Sequence, residues 1–374
     1  MKKGIHFLLL LTLALSFTNC QKHTDKIIYN KKYIKEIKAA RKDMMFYVAR
    51  NYIPGASIAI AKDGEIIYSE AMGLASKDLD VGVTRNTKYR IGELSELFTS
   101  VIYMKMIENG VLHPDSTVQH YFPNFPEKRY KITLRDLAYN CSGIHEENME
   151  DSEDWEYHTS LQQGLKLFKN DTLLTPPGLF QSPSIYNYNL LGAIMEKVTK
   201  KSFNKILKEY LTDTLKLTNT VSDNPFRIIK GRTDYFDYNI VSNIIPAKSR
   251  DLRYSIPSRG ILSNAEDLVK FGNAVFFSDY LSEKTKTEML KQIPLYNNIP
   301  SKLTNGWLQI ESNNGDKLIV RGGKITGGSA SILIHPKEKI VIAYTTNLNV
   351  ELNDTPAFDI LDYFLPEKKN GEKQ

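Results

Sequence analysis

From Leu94 onward, apolar residues recur at three- and four-residue spacing: Leu94, Leu97, Phe98, Val101, Ile102 and Met104. That period marks a buried helix, and Asn109-Gly110 closes it with residues that tolerate a left-handed backbone. Upstream, Ile37, Ala40, Met44 and Val48 share one face of a helix beginning at Tyr33, with Lys35, Lys38, Arg41 and Lys42 elsewhere around it. Pro54-Gly55 ends it, and the period then changes to two. Ala56 to Ala61 alternates, Lys62-Asp63-Gly64 turns, and Glu65 to Tyr68 returns, which predicts a hairpin. Tyr188 to Thr199 is patterned as another helix. A further helix runs into Phe271, for which Ser263 is the expected N-cap and Glu266 its capping-box partner. Strand texture then returns in Gly306 to Glu311, Lys317 to Val320, Ser329 to Ile334 and Ile340 to Thr346, with turns at Asn313-Asn314-Gly315 and Pro336-Lys337-Glu338. A helix from Ala357 to Phe364 and a polar tail, 367–374, close the chain.

The first residues change the picture from fold to location. Lys2 and Lys3 precede an apolar run, Phe7 to Phe17, that is too short to span a bilayer stably. The run ends in L-S-F-T-N-C and resembles a bacterial lipoprotein signal. That resemblance implies a leader at 1–19, a lipidated Cys20 as first mature residue, a polar tether at 20–32, a membrane partner held through Cys20, and a place in the bacterial cell envelope. An ordinary secretory leader with an incidental cysteine is the alternative. Cys141 is the one other cysteine, so no structural disulfide is expected if Cys20 is acylated. The formal charge is +6, and loss of Lys2 and Lys3 with the leader leaves +4, too mild to argue nucleic-acid binding. No later apolar run reaches membrane-spanning length, and no zinc-type Cys/His spacing, P-loop or dinucleotide fingerprint is present, so neither metal nor cofactor is expected.

Tyr89 to Ser100 reads Y-R-I-G-E-L-S-E-L-F-T-S. It resembles the active-site helix of the serine β-lactamase and DD-peptidase family (class C β-lactamases and their penicillin-binding-protein-like and esterase-like relatives), where the usual text is close to R-I-G-S-x-S-K-x-F-T. Arg90, Ile91, Gly92, Ser95, Phe98 and Thr99 match it; Glu93 and Glu96 stand at the positions of the nucleophilic Ser and its partner Lys. The stretches I-P-G-A-S-I-A-I-A-K-D-G-E-I-I-Y, A-M-G-L-A-S and V-T-R-N-T-K-Y-R-I-G follow in the family's order, so the likeness covers roughly Ile53 to Asn347. Where the family writes L-L-T-H-T-S-G, Asn140 and Cys141 replace the His-Thr ahead of Ser142-Gly143. The second motif, Tyr-x-Asn, counts to Pro183-Ser184-Ile185 from both flanks, Pro177-Gly178 and Asn189-Leu190-Leu191-Gly192, although Tyr186, Asn187 and Tyr188 lie close enough for a shifted register. The third, His- or Lys-x-Gly, is Arg321-Gly322-Gly323. Its glycines leave room for a substrate backbone, while a permanently charged Arg is unsuited to proton transfer. Arg259 stands where the first Gly of a Gly-Gly-x-x-Ser segment commonly lies, and Glu146 to Ser160 is an acidic loop over the cleft. Ser202 and Lys205, the one Ser-x-x-Lys in the chain, fall in a stretch that is a surface helix in the family and are read as chance.

The resemblance implies an α/β (α+β) fold of β-lactamase/transpeptidase type: an antiparallel sheet flanked by helices, made from 33–85 and 299–366, with a mostly helical region, 86–298, inserted and the cleft at the junction. A carboxylate at 93 offers no hydroxyl, and one at 96 puts negative charge where an amine would shuttle protons, so acylation by the family route is excluded there. Two Glu at a helix start also complement its dipole, worth ~0.3–1 kcal/mol each. Three readings of function follow. The first is a membrane-tethered, catalytically silent member that binds a peptidoglycan-like ligand or an envelope protein through the cleft, lined by Glu93, Glu96, Arg321, Gly322, Gly323 and Arg259. The second is a hydrolase using Glu93 or Glu96 as general base with Arg321 as oxyanion partner. The third is an interaction protein with a vestigial cleft. Unpaired buried carboxylates are costly, so Arg321, with Lys324 and Arg259 as further cations, is expected to pair with Glu93 or Glu96.

Overall fold

Alternation at period two makes the hairpin, and the hairpin recruits the other end of the chain. The computed structural model describes residues 27–147, 158–312, 314–353 and 355–366; the expected leader, Cys20, most of the acidic loop and the polar tail lie outside them. In chain order the main elements are β1 (Ile28–Tyr29), α1 (Ile34–Arg50), β2 (Gly55–Lys62), β3 (Glu65–Ser76), α2 (Ser95–Glu108), α3 (Ile185–Thr199), α4 (Ala265–Phe277), β4 (Leu303–Thr304), β5 (Trp307–Glu311), β6 (Lys317–Ile325), β7 (Gly328–His335), β8 (Ile340–Thr346) and α5 (Ala357–Phe364). The sheet order is β1-β3-β2-β8-β7-β6-β5-β4, antiparallel at every step. Ile58 faces Tyr344 and Ile60 faces Ile342, so the first hairpin is zipped to the last strand.

Successive side chains in a strand point to opposite faces, and here both faces are covered. Ile58, Ile60, Ile342 and Tyr344 pack with Ile37, Ala40 and Met44 of α1 and with Ile360 and Leu361 of α5. Ala59, Ala61, Val341 and Ala343 join α2, α3 and α4 on the other side. The small residues there let α4 come close: a Cβ on Gly272 would lie 2.9 Å from Val341 Cγ1. Although α4 falls inside the expected helical insert, it belongs to the layer on the sheet, because Leu268, Phe271 and Val275 form an apolar stripe facing it. Next to it α2 is apolar nearly all round, and it is buried accordingly; Phe98 stacks on Phe271 with ring centroids 4.3 Å apart.

Three local expectations are corrected. The N-cap of α4 is Asn264, which accepts from the Asp267 N–H at 2.9 Å. Ser263 instead ends the strand Ile261–Ser263 and shares a hydrogen bond with Thr220, while Glu266 receives Ser69 and Arg85. Part of the expected tether is built into the fold: Ile28 and Tyr29 pair with Ser69 and Tyr68 on the edge of β3, and Lys31–Tyr33 forms a helical turn leading into α1. Finally, β6 runs on to Ile325 rather than stopping at Val320, held by ladder pairs that include Arg321 with Ile332 and Gly323 with Ala330. That extension carries Arg321 to Lys324 alongside the start of α2.

Candidate functional site

The helical turn Gly92–Leu94 leads directly into α2, placing Glu93 and Glu96 at its threshold. Two hydroxyls fix the entrance from behind. Ser95 Oγ accepts the Ile261 N–H at 3.1 Å, and Thr99 Oγ1 donates to the Pro257 carbonyl at 2.7 Å. Ser95 is fully buried and committed to the short strand at 261–263, so it presents no free hydroxyl to the junction.

Strand and helix approach each other through glycine. A Cβ on Gly323 would sit 2.3 Å from the Ile91 carbonyl oxygen and 2.5 Å from the Leu94 nitrogen, and one on Gly92 would sit 2.6 Å from the Lys324 nitrogen. The side of Gly322 is filled by Leu352, whose Cδ1 would be 2.6 Å from an added Cβ. The expectation that Gly322 and Gly323 leave room for a substrate backbone is therefore corrected. The space next to each is taken by the chain itself, backbone at 91–94 and Leu352.

This contact brings the charges together. Arg321 Nη2 donates to Glu96 Oε2 at 2.7 Å. Arg259 Nε donates to Glu93 Oε1 at 3.0 Å, and the backbone N–H of Lys324 donates to Glu93 Oε2 at 2.8 Å. Lys324 sends its ammonium elsewhere, to Glu351. Arg259 also holds Glu147 through Nη1 at 3.0 Å, and the Tyr254 hydroxyl donates to that same carboxylate at 2.6 Å. The result is a chain of alternating charge, Tyr254–Glu147–Arg259–Glu93, lying beside Glu96–Arg321. The Glu96, Glu147 and Arg321 side chains are 3 %, 6 % and 12 % exposed, so these are interior contacts. Glu93 is the most open of the group, at 24 %.

Burial dominates the electrostatics. It pushes the Glu96 carboxyl up to about 7; Arg321 pulls it back down, Glu93 pushes it further up, and Arg259 and Asn140 act weakly downward. Burial alone would lower the Arg259 guanidinium, but Glu93, Glu147 and Glu96 together hold it above its ordinary value. Burial, and then the Glu147 charge, raise the Tyr254 phenol. The buried Arg321 Nε meets no acceptor among the described residues, so within them the guanidinium is only partly satisfied by Glu96.

The segment matched to the second motif brings no polar group to the cluster. Pro183 is exposed. Ile185 is 2 % exposed and packed in the apolar core as the first residue of α3. Ser184 caps α3, accepting the Tyr186 N–H at 3.2 Å and donating its hydroxyl to the His145 carbonyl at 2.6 Å. Asn140 lies nearer. With φ of 53°, it accepts from Asn187 Nδ2 at 2.8 Å and from the Ser184 N–H at 3.3 Å. Ser202 merely precedes the short helix Phe203–Leu207.

Sequence reading named Glu93, Glu96, Arg259 and Arg321, which the fold brings together, and it named Lys324 for a side-chain role that its backbone N–H fills instead. It missed Glu147 and Tyr254 as members of the cluster. Alternation gives no signal for either; the clue was an acidic stretch at Glu146 to Ser160 expected to lie over a cleft that carries an unexplained Arg259. Among the described residues, no group of three or more His, Cys, Asp or Glu side chains is placed to hold a metal ion.

The family model described as Beta-lactamase matches residues 36–362. Protein flp of Staphylococcus aureus (strain COL) is 26% identical over 318 residues, covering 81% of this chain and 61% of its own length. The human serine beta-lactamase-like protein LACTB, mitochondrial, is 25% identical over 328 residues, covering 69% of this chain and 58% of its own length. The chain thus spans about three-fifths of the curated relatives it matches. Among solved structures, FmtA from Staphylococcus aureus superposes with a TM-score of 0.76 at 20% identity, covering 95% of each chain. A class C beta-lactamase superposes with a TM-score of 0.75 at 20% identity, covering 92% of this chain and 99% of its own.

Proposed function

This chain belongs to the beta-lactamase family, whose model spans residues 36–362, and from that premise we propose that it is a cell-envelope protein that has left acyl transfer and works by binding a partner. The observation that carries this reading is Glu93. It stands where the family resemblance puts the nucleophile, has no hydroxyl, and has both carboxylate oxygens engaged, one by Arg259 and one by the Lys324 N–H. A backbone N–H aimed into a cleft is what an oxyanion would need; here a side chain of the same molecule uses it. Because Glu96, Glu147 and the two arginines are paired with one another, the geometry favours an interaction protein with a filled cleft over one that holds a small ligand there. A peptidoglycan-like ligand or an envelope protein would then meet the rim or an outer face. The envelope location rests on the Lys2-Lys3 start, the short apolar run and Cys20.

One observation favours a second reading. A carboxyl near 7 is poised for general acid–base work at neutral pH, so Glu96 with Arg321 could serve hydrolysis of an ester or amide if a substrate parted the pairs.

Labelling separates the readings. A β-lactam or fluorophosphonate probe should leave no covalent adduct on the purified protein, and Glu93→Ser with Glu96→Lys should not restore turnover, since the second and third motifs are still unlike the family's. A stable adduct at Ser95, Ser184 or Ser202 would overturn the binding reading. Turnover that Glu96→Gln abolishes would establish the second.

A further inference from the structure

The outer face of α1 has no role in the cluster, and its composition is unusual. Its exposed residues are Ile34, Lys35, Lys38, Arg41, Lys42, Met45, Phe46, Ala49 and Arg50, every one apolar or cationic. The two acids of the helix are turned away and half-buried: Glu36, and Asp43, which accepts from Tyr363 of α5 at 2.8 Å. Arg41 is committed to Glu70, while none of Lys35, Lys38 and Lys42 is held in an ion pair among the described residues. Phe46 is 64% exposed, and the Arg50 guanidinium lies over its ring at 5.5 Å. Lys31 and Lys32 extend the cationic row ahead of the helix, and Tyr52, 75% exposed, extends the apolar one beyond it. The hairpin of Phe236–Tyr238 and Ile244–Pro246 is tied to the same end by Tyr238, whose hydroxyl donates to the Asn51 carbonyl at 2.7 Å; its tip carries the exposed Ile240 and Val241.

We propose that this face lies on an anionic lipid bilayer, with the lysines at the headgroups and Met45, Phe46 and Tyr52 entering the interface. Two observations choose that occupant. Charge is the first: a helix face of lysines interleaved with large apolar residues matches an anionic interface, where each basic residue adds to binding and aromatic rings sit at headgroup depth. Reach is the second. Six residues lie between Cys20 and Ile27, a span of at most about 25 Å when extended, so an anchor at Cys20 keeps Ile27, which opens the segment leading into α1, within roughly the 25 Å length of α1 from the bilayer. A lipid at Cys20 would hold the molecule at a membrane without fixing which side faces it; the α1 face fixes it. The inference rests on the envelope reading for its setting, yet the unlipidated chain tests it alone.

The experiment is co-sedimentation of the chain from Gln21 to Gln374, which keeps every described residue, with phosphatidylcholine vesicles with and without phosphatidylglycerol. Binding is expected only with phosphatidylglycerol, and it should weaken as salt rises. Lys35→Glu with Lys38→Glu and Lys42→Glu should weaken it at least about tenfold, and Phe46→Ser should weaken it too, with thermal unfolding unchanged because these side chains are exposed. Absence of binding at low salt, equal binding to neutral vesicles, or undiminished binding by the triple variant would overturn the proposal. So would a wild-type dimer that the triple variant converts to monomer, which would make the face a self-interface. Mass spectrometry of Cys20 from cells reads the anchor separately: an unlipidated Cys20 removes the tether while vesicle binding keeps the face.

Discussion

Arg321 and Glu96, separated by 225 positions in the chain, meet at 2.7 Å where the sheet abuts the first turn of α2. Neither is more than 12% exposed, so the pair lies in the regime where a partner's loss leaves a charge without water. Arg321→Met should therefore destabilise the fold by ~3–5 kcal/mol. Adding Glu96→Met should recover much of that loss, which a double-mutant cycle by chemical denaturation would read as strong coupling. Additive effects of the two changes, measured well above the Glu96 pKa, would show that the contact is energetically empty.

Stability should also carry the signature of Glu96. Its carboxyl rises from an ordinary 4.5 to about 7 in the folded chain. Between those values the native state holds more protons than the unfolded state, so stability falls as pH rises through that window. For this group alone the fall is on the order of 3 kcal/mol. Unfolding of the wild type and of Glu96→Gln across that range should differ in slope, the variant lacking this component. Parallel curves would contradict the raised value.

Gly323→Ala tests the contact between strand and helix. The added carbon would meet backbone atoms at 91 and 94 rather than a side chain able to swing aside, so a loss of ~1–3 kcal/mol or more is expected. Gly82→Ala is the control. It is exposed, and the nearest atom to its added carbon is the Gly73 oxygen at 3.9 Å. Equal melting temperatures for the two variants would refute the close-approach account.

Processing is a separate matter. Cys20→Ala should stall maturation or leave the chain on the membrane fraction only through contacts that a high-salt wash removes, read by fractionation and intact mass. Finding the wild-type chain unlipidated and free would remove the anchor.

The sequence was most informative where a period is enforced by burial. Ile340–Thr346 and Ala357–Phe364 were legible to the residue, because alternation and helical spacing are the same fact as facing the core. Ends set by single hydrogen bonds were less legible. Asn264 and Ser263 are both good caps, and only the pairing of Ser263 in its strand decides between them. At the site, pairing of Arg321 with Glu93 or Glu96 followed from charge and family register, and the structure selects Glu96. Glu147 did not, because what makes it a partner is Arg259 reaching across the fold, and no local pattern encodes that distance. Gly323 was read as space for a ligand when it is space for the backbone at 91–94. A glycine in a sequence records that something comes close without saying what.

The five charged side chains at the junction have a consequence for mutational history. The three interior carboxylates face two guanidiniums, and Arg259 serves two of the three while also lying 3.8 Å from the exposed Glu146. A lone Glu96→Lys would set an ammonium against the Arg321 guanidinium; a lone Arg259→Gly would strand Glu93 and Glu147 together. Each such intermediate carries an uncompensated interior charge, whereas paired exchanges do not. The cluster therefore couples its members: a charge change at one residue is expected to be tolerated best when the partner changes with it.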